Sequence, residues 1–134
     1  MLRSQQYSDL VFKEVERLLG RADFSHKRYK SLCRRAGGIF RTVGLIQFMA
    51  FIEAKADDDN NDHYKALGEQ LRRELHELSL VEDFERDAFL RIVRTSQLPE
   101  YMHISRSVLE LLQWHKRISE VMIVGEADDH DEGE

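Results

Sequence analysis

Residues 39–56 read IFRTVGLIQFMAFIEAKA. Nine of these positions carry large apolar side chains (Ile39, Phe40, Val43, Leu45, Ile46, Phe48, Met49, Phe51 and Ile52), and only Arg41, Glu53 and Lys55 are charged. A helix that is apolar nearly all round is buried, so this stretch is expected to form the central helix of an all-helical domain. Gly44 is expected to permit close approach of a neighbouring helix. Gly37-Gly38, just upstream, is expected to kink or interrupt the helix, since glycine weakens a helix interior.

Upstream, Ser25 is positioned to cap a helical stretch rich in Lys27, Arg28, Lys30, Arg34 and Arg35. Before it, Tyr7, Leu10, Val11, Val15 and Leu18 recur at three- and four-residue steps, which predicts a helix from about Gln5 to Leu19 ended by Gly20. Downstream, residues 57–62 (DDDNND) read as a solvated loop. Asp62 is expected to cap a third helix whose stripe is Tyr64, Leu67, Leu71, Leu75 and Leu78. Ser79 and Glu82 have capping-box spacing and predict a fourth helix with Phe84, Ala88, Phe89, Ile92 and Val93 inward. Pro99 suits the first turn of a fifth helix, about Glu100 to Val124, with Ile104, Val108, Leu111, Leu112, Ile118 and Met122 buried. No stretch has the pattern of a strand. The fold class is therefore all-α: a single compact bundle of about five to six helices over residues 1–125, followed by a disordered acidic tail, residues 126–134.

The chain has 134 residues, 42% hydrophobic and 34% charged, which suits one soluble domain and argues against global disorder. No run approaches the roughly 18 apolar residues of a membrane span, and the N-terminus lacks the apolar core of a signal peptide. A cytoplasmic protein without a membrane partner is expected. The single cysteine, Cys33, excludes an intramolecular disulfide framework. Arg34 and Arg35 beside it favour a lowered thiol pKa, but a structural cysteine is the better reading.

Candidate chemistry is sparse. Asp58, Asn60, Asp62 and Glu69 fall at positions one, three, five and twelve of a calcium-loop count, but His63 stands where that loop needs glycine. A solvated linker is favoured, and no metal or other cofactor is expected. No two of the six histidines share one-turn spacing. His115 falls on the inward stripe of the fifth helix, as a buried, hydrogen-bonded imidazole would. His26, near the basic cluster, is a phosphate contact or ordinary surface. No phosphate loop and no catalytic constellation is present, so no catalytic residues are expected.

Charge distribution is the most informative feature. Residues 1–56 hold 11 Lys and Arg against 5 Asp and Glu, whereas residues 126–134 hold six acidic residues and no basic one. On a helix, Lys27, Lys30, Arg34 and Arg41 lie close to one face, with Arg28 and Arg35 as an adjoining row. Such a surface can meet several phosphates without reading sequence. Charge runs are more often solvated faces. Here no acidic residue occurs between Phe24 and Ile52 to neutralise the cluster locally, and the apolar helix would hold it rigidly.

The segment from Ala36 to Lys55, with Gly44, Leu45, Gln47, Ala50 and Phe51, resembles a signature of the small subunit of type III-B (Cmr) CRISPR effector complexes. Tyr64, Leu67 and Leu71 are similar to that family's next helix. Tyr101 to Arg117, with Leu112, Trp114 and Lys116, is similar to its last. The similarity spans roughly residues 5–123 in the family's order. Gly37-Gly38 and the acidic tail depart from the pattern, and the small subunit of the related Csm branch stays open as an alternative. The resemblance implies a non-catalytic protein that stacks in several copies beside the backbone subunits. It further implies partners: the guide–target RNA, the backbone and large subunits, and other copies of the chain. RNA cleavage would belong to the backbone subunit. Carried over by position, the RNA-facing set is Lys27, Arg28, Lys30, Arg34, Arg35 and Arg41, with Lys55 and Arg117 secondary. Two other classes stand beside it: a helical adaptor whose basic patch docks an acidic protein, and, weakest, a metal-dependent hydrolase using the Asp57–Asp62 loop.

Overall fold

A computed structural model describes residues 2–125 apart from Asp23. Among the described residues there are five helices and no strand: α1 (Arg3–Leu19), α2 (His26–Ala56), α3 (Asp62–Glu77), α4 (Arg86–Thr95) and α5 (Leu98–Met122). α2 is the hub and packs mainly on α3 and α5. α1 lies against α5 and α3, and the short α4 closes one side against α2 and α3. Tyr29, Leu32, Phe48, Ile52, Leu71 and Leu111 meet at the centre. The acidic tail lies outside the described residues.

The glycines behave differently from expectation. Gly37 and Gly38 are helical and interrupt nothing. Their flanks Cys33, Ala36 and Phe40 are buried, and this packing outweighs the modest helix penalty of two glycines. The interruption comes at Gly44, with φ +82° and ψ 177°. That region is essentially closed to residues with a Cβ. Nor does Gly44 admit a close neighbour, because a Cβ there would meet nothing within 4 Å. Close approach occurs instead at Gly68 of α3, where a Cβ would stand 3.2 Å from Glu53 Oε2 and Ile52 Cγ2. Two substitutions separate these effects in urea unfolding. Gly44→Ala is expected to cost about 1–3 kcal/mol through backbone strain. Gly38→Ala, exposed and unhindered, should stabilise by about 0.5–1 kcal/mol. Equal effects at both positions would mean that α2 is not broken at Gly44.

Three helix boundaries also differ. Asp62 is the first residue of α3, and the cap position belongs to Asn61, whose side chain donates to the Lys55 carbonyl (3.1 Å). Ser79 ends α3 rather than opening α4. It has φ +61°, its N–H donates to His76 O, and the Leu80 N–H donates to Leu75 O, both at 3.0 Å. This is a Schellman stop built on a serine. α4 starts later, capped by Glu85, whose carboxylate accepts from the Ala88 N–H (3.0 Å). Phe84 therefore lies in the preceding turn and is 44% exposed rather than inward. Ser25 caps α2 as expected, accepting from the Arg28 N–H at 3.3 Å, and Pro99 sits in the first turn of α5.

The stretch 39–56 is also less buried than its composition suggests. Phe40, Leu45, Phe48, Met49 and Ile52 face inward, but Val43 is 37% and Ile46 44% exposed. By length and composition α2 could cross a membrane, contrary to the reading that no stretch comes near. The window qualifies because nine large apolar residues fall within it and few charges interrupt them. Its buried face is spent on α3 and α5.

Candidate nucleic-acid interface

The amino-terminal half of α2 presents the basic cluster, and each side chain has its own surroundings. Lys27, Arg34 and Arg41 are exposed and recur every seven residues, two helical turns apart. They form one row about 21 Å long from Lys27 to Arg41. The row stops where Gly44 breaks the helix; seven residues beyond Arg41, Phe48 is fully buried.

Lys30 does not belong to that surface. It is 7% exposed, and its ammonium donates to the carbonyls of Ile123 (3.0 Å) and Gly125 (2.8 Å). The carboxyl end of α5 crosses α2 at this position and takes the lysine as its terminal partner, a contact that cations at helix C-termini favour. Arg28 turns toward the loop after α2, donating to Asn60 O at 2.9 Å. Arg35 is half-buried. Arg34 pairs with Glu120 of α5 (3.2 Å), both ends well exposed. The cluster thus has an acidic neighbour after all, supplied by a distant helix. Lys55 lies at the far end of α2, half-buried, with its ammonium 5.9 and 6.0 Å from the rings of Phe51 and Tyr64. Arg117 is exposed on α5, one turn before Glu120, and so joins the Arg34 end. His26 is not free for phosphate: its Nε2 is 3.1 Å from the Leu18 carbonyl.

Beside the row runs a groove of about 830 Å³, with Arg34 and Arg35 at one end and Ile39, Val43 and Phe51 along its apolar wall. Reading 39–56 as buried all round hid this feature. The clue was the surplus of apolar residues over what one helix face can bury. A second cleft, about 630 Å³, holds Glu53, Asp57, Glu69, Arg72 and Arg86. Its charges pair with one another: Arg72 Nε with Glu53 Oε2 at 3.0 Å, and Arg86 with Asp57 at 2.7 Å. Burial pushes the Glu53 carboxyl up, and Arg72 opposes the shift. Asp58 accepts from the Asn60 N–H at 2.9 Å in its own loop. Among the described residues, no group of three or more His, Cys, Asp or Glu is arranged to hold a metal ion.

His115 is fully buried, as its register implied. Its Nε2 is 2.8 Å from Glu74 Oε2, and its Nδ1 is 3.0 Å from the Tyr29 hydroxyl, which donates to Gln70 Oε1 (2.7 Å). Glu74 and Gln70 were missed in the sequence, although both flank Leu71 on the inward face of α3. Cys33 adjoins this network, and burial pushes its thiol up to about 12 despite the neighbouring arginines. Iodoacetamide at pH 8 should leave Cys33 unmodified in the native protein over a period that fully alkylates the urea-unfolded chain. Equal rates in the two states would contradict its burial.

The family model described as "CRISPR-associated protein (Cas_Cmr5)" matches residues 3–122. The CRISPR system Cmr subunit Cmr5 of Thermus thermophilus is 26% identical over 124 residues, covering 90% of this chain and 96% of that protein. The crystal structure of a CRISPR-associated Cmr5 family protein from the same organism superposes with a TM-score of 0.73 at 22% identity. It spans 92% of this chain and 100% of that one, a likeness of fold.

Proposed function

Because the chain belongs to the Cmr5 family of CRISPR-associated proteins, and so is a small subunit of a type III-B CRISPR complex, we propose that it lines the guide–target RNA groove with the row Lys27, Arg34 and Arg41. The observation that carries this reading is a set of exposed cations at two-turn spacing on the best-anchored helix of the bundle. Arginine and lysine held this way meet phosphates and ignore base identity. Arg117 extends the row on α5; Arg28 and Arg35 flank it, and Lys30 and Lys55 serve the fold. The subunit is non-catalytic and acts in the cytoplasm.

Several copies stack along the backbone of the complex. The basic amino-terminal half and the acidic remainder support head-to-tail packing of unlike charge. The apolar groove beside Arg34 and Arg35 favours a protein contact on the same side, which the backbone and large subunits supply. A salt series of single-stranded RNA binding tests the proposal. It compares wild type with the Lys27→Glu/Arg34→Glu/Arg41→Glu variant, free and reconstituted with the other subunits. Loss of RNA binding by a folded variant supports it. If neither protein responds to RNA in any setting, the basic face docks an acidic protein instead.

A further inference from the structure

Every residue lining the groove beside the basic row comes from α2, between Arg34 and Phe51, and both sides of the break at Gly44 contribute. A straight helix has no concavity of its own, so the groove owes its shape to that break. None of its lining residues is acidic, and Arg34 and Arg35 stand at one end. The groove therefore suits an apolar side chain carried next to carboxylates.

The loop between α3 and α4 presents such a side chain. Residues 82–85 read EDFE, and all four are exposed, Phe84 by 44%. Of the exposed large apolar residues described, only Phe84 has a carboxylate directly on each side. The loop is held in place. Val81 is buried, the Phe84 carbonyl accepts from Arg72 Nη1 at 2.8 Å, and the Phe84 ring lies 5.1 Å from that of His76. The Asp83 carboxylate accepts from the Glu85 N–H at 2.9 Å. Such a preorganised loop loses little freedom on docking, which favours affinity. No residue of this loop lines the groove, so one chain can offer both surfaces at once.

We propose that Phe84 of one copy enters the α2 groove of a second copy, with Glu82 and Asp83 toward the Arg34 and Arg35 end. The ring packs on the wall of Ile39, Val43 and Phe51. The exposed pair between Arg34 and Glu120 yields at little cost. Since the inserted ring and the groove are different surfaces, the contact is heterologous and runs head to tail. The groove of the last copy stays open, and that one is left for the backbone and large subunits. The proposal rests on the stacking reading above and names the surfaces that join the copies.

Two exposed substitutions in the full chain separate the halves of the contact. Phe84→Ala removes the ring, and Val43→Glu puts a carboxylate on the groove wall. Circular dichroism checks that both variants fold. Sedimentation velocity at low salt, from micromolar to millimolar protein, then reads association. Wild type should form concentration-dependent oligomers larger than a dimer. Each variant alone should associate about 30-fold more weakly or less, the usual loss for a central aromatic anchor. An equimolar mixture of the two variants should give a 1:1 dimer and nothing larger, because one keeps an intact ring and the other an intact groove. Monomeric wild type over the whole range, or a mixture no more associated than either variant alone, overturns the proposal. Copy number in the reconstituted complex judges stacking separately. Several copies of each variant there would overturn this contact and leave stacking in place. A single copy of wild type would remove the stacking reading, while the mixture still decides the contact itself.

Discussion

Replacing His115 with alanine is expected to destabilise the protein by about 3–5 kcal/mol, the range for deleting a large, fully buried ring together with the hydrogen bonds it makes. The imidazole is 0% exposed and spans from the Tyr29 hydroxyl to the Glu74 carboxylate, which is 1% exposed. Removing it leaves Glu74 and Tyr29 without this partner in the core and leaves a void between α3 and α5. Burial already raises the Glu74 carboxyl pKa, and the His115 charge and hydrogen bond oppose that rise. Without His115 the opposition disappears, and the folded state favours protonated Glu74 more strongly. A carboxyl whose folded pKa lies above its unfolded value of about 4.3 stabilises the fold at acid pH, and that contribution is lost as pH rises through the folded pKa. The variant should therefore regain stability between neutral pH and pH 5. Adding Glu74→Gln to it should recover part of the loss at neutral pH. Urea unfolding at pH 5 and pH 8 measures both effects. A cost below about 1 kcal/mol for His115→Ala would show that the pair contributes nothing beyond an ordinary hydrogen bond.

The second large effect is on RNA. Each phosphate contact adds about −0.7 to the slope of log affinity against log salt for a single strand, so loss of three contacts flattens the slope by about 2. Between 50 and 200 mM salt, wild type should then lose about 20-fold more affinity than the Lys27→Glu/Arg34→Glu/Arg41→Glu variant. Reversal of Arg34 also breaks its exposed pair with Glu120, but such pairs contribute little to folding. Circular dichroism and urea midpoints of the variant should stay near wild type. A parallel Lys55→Glu substitution at the far end of α2 should leave the slope unchanged. If it flattens the slope as much as the row does, the interface is not where the row places it.

Burial explains which residues of the basic cluster were legible. Helical spacing put Lys27, Arg34 and Arg41 on one face, and the structure keeps all three exposed. The same spacing placed Lys30 beside them, yet the end of α5 crosses there and consumes its ammonium. Spacing along one helix carries no information about what another helix lays over it. Glu120 was hidden from the cluster for the same reason, being 86 residues from Arg34 in the chain. Ser79 and Glu82 had the spacing of a helix start, but Ser79 takes φ +61° and ends α3 through the Ser79–His76 and Leu80–Leu75 backbone bonds.

Local chemistry, then, was sufficient for the helical class, the order of the helices, the cap at Ser25, the first-turn position of Pro99, the inward register of His115 and the basic character of α2. Each follows from side-chain periodicity or from one turn of backbone, and none depends on distant neighbours. Tertiary packing chose the break at Gly44 over Gly37-Gly38, the close approach at Gly68, the burial of Glu74 and Lys30, and the exposure of Val43 and Ile46. These depend on where a second helix lies, and a helix can bury only the face that its neighbours cover.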